Sequence, residues 1–106
     1  MNQKEFFKIL DREGFERLRI RLKIDKGELI NIVVQYESLV ENKWTAIVRY
    51  DIEHGFFHRD MMTPQGDKIK TPIDISDLKS AIIYAEQDIK DKWEHYKQRF
   101  LKGFKK

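Results

Sequence analysis

Between Arg17 and Ile24 the chain alternates without interruption. Leu18, Ile20, Leu22 and Ile24 fall on one side, Arg17, Arg19, Arg21 and Lys23 on the other. Period two over this length specifies a β-strand, because an amphipathic helix repeats its apolar face about every 3.6 residues. Such a strand needs neighbours for its hydrogen-bonding edges and a cover for its apolar face. The flanking sequence offers both.

Asp25-Lys26-Gly27 is a suitable hairpin loop with Gly in the left-handed position. A second strand over Glu28 to Leu39 offers Ile30, Ile32, Val34 and Tyr36 as its inward set, and Glu41-Asn42-Lys43 turns the chain again. The third strand, Trp44 to Ile52, alternates Trp44, Ala46, Val48, Tyr50 and Ile52 against Thr45, Ile47, Arg49 and Asp51. His54-Gly55 reads as a tight turn, Phe56 to Met62 as a fourth strand, Thr63-Pro64-Gln65-Gly66 as a β-turn, and Lys68 to Lys70 as a short edge strand. Connections this short imply an antiparallel meander.

Beyond Pro72 the period becomes helical. Leu78, Ile82, Ala85, Ile89, Trp93, Tyr96 and Phe100 form one stripe, with Asp74 or Ser76 as N-cap and Gly103 as the stop. The first dozen residues read as a short helix with Phe6, Phe7 and Leu10 on one side and Gly14 ending it. The expected fold is a single α+β domain over residues 1–106. It has a short helix within 1–14, an antiparallel sheet of four to five strands over 16–71, a long helix over 75–102 and a basic tail over 103–106.

The sequence has no cysteine, which excludes a disulfide scaffold, a thiolate metal site and a cysteine nucleophile. The net charge of +3 is concentrated in residues 97–106, which hold five Lys or Arg and no acid, so the rest of the chain is slightly acidic. A basic pI therefore says little about nucleic acid. No stretch approaches a membrane span or a signal peptide, and a cytoplasmic protein without membrane association is expected. Trp93, Tyr96, Phe100 and Phe104 either cap the end of the sheet or form a surface for a homodimer or another partner.

The segment RYDIEHGFFHRD, residues 49–60, concentrates two His, three Asp or Glu, two Arg and a Tyr around one turn. With His54-Gly55 as a two-residue loop, Asp51 faces His58 and Arg49 faces Asp60, while Ile52 pairs with Phe57 and Val48 with Met61 on the apolar face. Arg59 then lies on the apolar face opposite Tyr50 and must reach an edge or an internal acid. An Asp beside a His orients the imidazole and favours its protonated form. Metal-free RNA cleavage needs a base, an acid and a cation for the phosphorane. His58, with Asp51 as its orienter, and His54 supply the first two. Arg49 and Arg59 would bind phosphate, and Tyr50 and Asp60 complete the substrate-binding set. His54, His58 and Asp51 match no specific zinc spacing, so neither a metal nor another cofactor is expected. The competing reading is a cross-strand salt ladder with His54 serving only the turn. Arg17, Arg19, Arg21 and Lys23 likewise form either a nucleic-acid-binding row or the wet face of a sheet.

Arg49-Tyr50-Asp51, His54-Gly55 and His58-Arg59-Asp60, followed by Gly66 and Lys70-Thr71-Pro72, resemble the signature of a small uncharacterised prokaryotic family carrying RYD-x-x-HG-x-x-HRD and a C-terminal helix. More distantly the chain is similar to TumE-type proteins of toxin–antitoxin pairs. The close resemblance covers about residues 44–73. It implies a small β-rich protein that works with a partner, either a second copy or a small antitoxin-like protein, with nucleic acid as the target. Two functions are expected from this: a toxin–antitoxin-like RNA-binding protein or metal-independent ribonuclease, or a non-catalytic module that docks through its C-terminal helix.

Overall fold

A computed structural model describes residues 2–103. Six strands form one antiparallel meander in chain order, β1 (Asn2–Ile9), β2 (Glu16–Asp25), β3 (Glu28–Val40), β4 (Lys43–Asp51), β5 (His58–Met62) and β6 (Lys68–Pro72). A single helix, α1 (Leu78–Leu101), then crosses one face of the sheet over β3 and β4. Leu18 and Ile20 of β2, Ile32, Val34 and Tyr36 of β3, and Val48 and Tyr50 of β4 are buried beneath Ala81, Ala85, Ile89, Tyr96 and Phe100 of α1. Small Ala side chains in the first turns of the helix, at positions 81 and 85, let that end approach the sheet closely. Among the described residues no helix is long and apolar enough to cross a membrane.

The opening segment is a strand, not the expected helix. Phe6 and Phe7 sit on opposite faces of β1, which pairs with β2 from Asn2↔Ile24 to Ile9↔Arg17. An isolated ten-residue helix is marginal in water, whereas β2 presents a full edge of unpaired amides. Pairing overrides local pattern, and the sheet gains a sixth strand. The Asp11 carboxylate organises the corner between β1 and β2 by accepting from the amides of Gly14, Phe15 and Glu16 at 3.0–3.2 Å.

Two β-bulges change the expected side-chain parity. Tyr36 pairs with Val48 but Glu37 pairs with Ala46, so Ile47 is the extra residue. Ile47 is buried in the core, and Trp44 shares the open face with Arg17. A second shift between Lys23 and Ile24 pairs Ile24 with Leu29, leaving Ile30 exposed while Leu29 packs against the core. One inserted residue in a bulge reverses the alternation beyond it, which a reading by strict period two cannot register.

The helix begins later than expected. Asp77 is the N-cap, accepting from the Ser80 amide at 3.0 Å and its hydroxyl at 2.7 Å; neither Asp74 nor Ser76 takes that role. The Ser80 hydroxyl, and then its amide, hold the Asp77 carboxyl below its usual range. Phe104 and the last two residues of the expected basic tail lie outside the described residues.

Candidate functional site

Register brings the chemistry of segment 49–60 together. In the β4–β5 pair Asp51 lies opposite His58, Tyr50 opposite Arg59, Arg49 opposite Asp60 and Val48 opposite Met61. The ladder stops at Asp51↔His58. Beyond it Glu53–Gly55 make a 3-10 turn closed by the Gly55 amide to the Ile52 carbonyl at 3.0 Å. His54 and Gly55 both have positive φ, at 69° and 86°. The connection is thus longer than the expected two-residue loop, yet it keeps the same register and the same left-handed pair.

Asp51, His58 and Asp60 are on the face opposite α1 and are nevertheless buried. His58 Nδ1 meets the Phe56 carbonyl at 3.1 Å. A carbonyl can only accept, so Nδ1 carries a proton. On the other side of the ring, Nε2 lies 2.9 Å from Asp51 Oδ1 and 3.3 Å from Asp60 Oδ2. Neither approach has hydrogen-bond geometry, and Nε2 has no hydrogen-bond partner among the described residues. Arg49 Nε donates to Asp51 Oδ2 at 2.7 Å, so its guanidinium serves its neighbour along the strand rather than the facing Asp60. The Glu53 amide donates to Asp51 Oδ1 at 3.0 Å, and Lys68 Nζ stands 3.8 Å from Asp60 Oδ2. The Phe56 ring tilts over the imidazole with centroids 5.2 Å apart.

His54 is exposed on the turn and adds no ligand atom to the Asp51–His58–Asp60 group. Arg59 and Tyr50 lie on the helix side. Arg59 Nη1 donates to the Tyr96 hydroxyl at 3.4 Å, and Tyr50 donates to Asp88 Oδ2 at 2.6 Å. Tyr96 also donates to Asp88 Oδ2. Arg59 thus reaches an internal acid only indirectly, through the Tyr96 phenol bonded to Asp88, and its Nε has no hydrogen-bond partner among the described residues. Burial, reinforced by Asp88, pushes the Tyr50 hydroxyl well above its ordinary pKa and that of Tyr96 up to about 12. Tyr96 and Phe100 are themselves buried in the core, and Trp93 packs edge-on against Tyr36.

The row on β2 has more counter-charge than its neighbours in sequence suggested. Glu37 of β3 takes Arg17 at 2.8 Å and Arg19 at 3.5 Å, while Glu5 of β1 takes Arg19 at 2.9 Å and Arg21 at 3.0 Å. Hydrogen bonds from Arg19 and then Arg21 hold the exposed Glu5 carboxyl below its usual range. Arg17 is also stacked between two rings, 4.3 Å from the Phe7 centroid and 3.8 Å from that of Trp44. Phe7 and Trp44 remain 46% and 36% exposed, so their outer faces are available to a ligand.

Glu5, Phe7, Trp44 and Asp88 escape a sequence reading for separate reasons. The first two sit on a segment that resembles a helix, Trp44 is turned by a bulge, and Asp88 follows no apolar period. A buried acid on a helix is signalled only by the groups it pairs with, here two phenols and Lys92 one turn on. No curated protein and no solved structure matches the chain. The whole of residues 1–106 matches the family described as Domain of unknown function (DUF7718), and the chain belongs to that family.

Proposed function

We propose that the open face of the sheet binds single-stranded RNA. The observation that carries this reading is the Phe7–Arg17–Trp44 stack at the head of a cationic row. Arg19, Arg21 and Lys23 extend the row along β2 on the side that α1 leaves uncovered. Exposed rings accept unstacked bases whatever their sequence, and a line of cations follows the phosphates between them. Glu5 and Glu37 compensate part of that charge; the Glu5 pairs are exposed and worth little in water, so a phosphate can displace them, whereas Glu37 is buried and stays with Arg17.

Binding fits the geometry better than cleavage. His58 has no exposed atom and its Nδ1 is committed to a main-chain oxygen, so a substrate 2′-hydroxyl has no approach to it. Docking through the C-terminal helix has less to work with, since Tyr96 and Phe100 belong to the chain's own core.

Fluorescence anisotropy with a labelled single-stranded RNA tests the reading. The full chain should bind with an affinity that falls steeply with salt. Arg19→Ala with Arg21→Ala should weaken binding at least tenfold at low salt and reduce the log–log salt slope by about 1.4, two phosphate contacts on a single strand. Trp44→Ala should weaken it by roughly 1–3 kcal/mol with the slope unchanged. Salt-insensitive binding, or a double variant that binds like the parent, overturns the proposal.

A further inference from the structure

We propose that Asp51, His58 and Asp60 form a binding site for a first-row divalent cation, Zn²⁺ or Mn²⁺, where β4 pairs with β5. One ligand atom from each residue lies within 4.8 Å of the others, and all three side chains are buried. The imidazole separates this group from an ordinary acidic cluster. Its Nδ1 proton is fixed on the Phe56 carbonyl, so the ring turns Nε2, the nitrogen free to ligate in the neutral imidazole, towards the carboxylates. Metal-ligating histidines use this arrangement, the far nitrogen donating to a carbonyl or carboxylate and so setting the tautomer.

Two buried atoms in the group lack hydrogen-bond partners among the described residues, His58 Nε2 and Asp60 Oδ1. A neutral Nε2 lone pair facing two carboxylates is repulsive unless a positive charge stands between them. The spacing suits an ion in that position. Two ligand atoms each about 2.0–2.1 Å from one cation lie roughly 2.9 Å apart at a right angle and 3.4 Å apart at the tetrahedral angle. The observed separations from Nε2 are 2.9 and 3.3 Å.

The surroundings support the ligands from outside. Arg49 and the Glu53 amide fix the Asp51 carboxylate, and Lys68 approaches Asp60 from the rim. Arg49 and Lys68 are partly solvated, which screens their repulsion of a bound cation. One imidazole and two carboxylates without a thiolate suit Zn²⁺ or Mn²⁺ and leave further coordination positions for water. A shallow cleft lined by Arg49, Asp51 and Glu53 brings solvent to the Asp51 side of the group. The rival occupant is a proton, which would make His58 an imidazolium clamped between two carboxylates.

Calorimetry on the metal-stripped full chain with ZnCl₂ and MnCl₂ should give one equivalent bound with a Kd of about 10 µM or tighter for at least one of the ions. Visible spectra with CoCl₂ should develop ligand-field bands, and nitrogen NMR should show His58 Nε2 coordinated with Nδ1 still protonated. Asp60→Asn keeps the side-chain size and should weaken binding at least tenfold. If that variant misfolds, the wild-type His58 resonance decides alone. Absence of saturable binding tighter than about 1 mM overturns the site. So does a His58 ring protonated on both nitrogens at saturating metal, the signature of the imidazolium clamp.

Discussion

Asp88 ties the helix to the sheet through two buried phenols. Its Oδ2 accepts from the hydroxyls of both Tyr50 and Tyr96, its Oδ1 stands 3.4 Å from Lys92, and Tyr96 hands the charge on to Arg59. Removing it would orphan buried phenols and leave Arg59 without its acid. Asp88→Ala should lower the unfolding free energy by about 2–4 kcal/mol in urea titrations. Tyr96→Phe removes one donor while keeping the ring, and should cost only about 1 kcal/mol. Equal losses would show that ring packing, not the shared carboxylate, holds the helix down. Glu16 plays the same part nearer the end of the helix, accepting from Tyr36 at 2.5 Å and from Lys97 at 2.6 Å.

The strands and their turns divide into those that local chemistry dictates and those that it does not. Lys26-Gly27 and Glu41-Asn42 are both two-residue loops with positive φ throughout, as a type I′ hairpin requires. Glu41 is a poor occupant of that conformation. Glu41→Asn with Asn42→Gly should stabilise the fold by about 1 kcal/mol, seen as a higher melting temperature. Such turns, the alternation of β2 and the helical stripe are legible in the sequence because each is a local preference repeated several times. The Asp51–His58 and Arg49–Asp60 pairings are legible for the same reason, since a turn and a period together fix register. Trp44 and Ile47 are not, because one bulge residue exchanges their faces without changing composition. Nor is the burial of His58 and Asp60 on the uncovered side, where Phe56 tilts over the imidazole. The first strand is invisible to period analysis because pairing with β2 alone selects it.

Taken whole, the molecule is a sheet with one face committed to a helix and the other to charge. The committed face holds Tyr36, Tyr50 and Tyr96, whose hydroxyls are all raised by burial and then by a neighbouring carboxylate. A raised folded-state value adds stability that is complete below the ordinary tyrosine pKa and lost as pH climbs through the folded one. The melting temperature should therefore fall continuously from about pH 10 towards pH 12, with tyrosinate absorbance from these three residues appearing together with unfolding. Tyrosinate formation by them while the fold persists would contradict the network. On the charged face Glu5, carried by an outermost strand whose residues are mostly exposed, is a counter-ion for both Arg19 and Arg21, and Glu37 also stands 3.5 Å from Arg19. The acid that quiets those two guanidiniums thus sits on a strand paired along one edge only. Peeling back its eight residues would unmask Arg21, leave Arg19 to Glu37 and bare the amide rim of β2 in one movement.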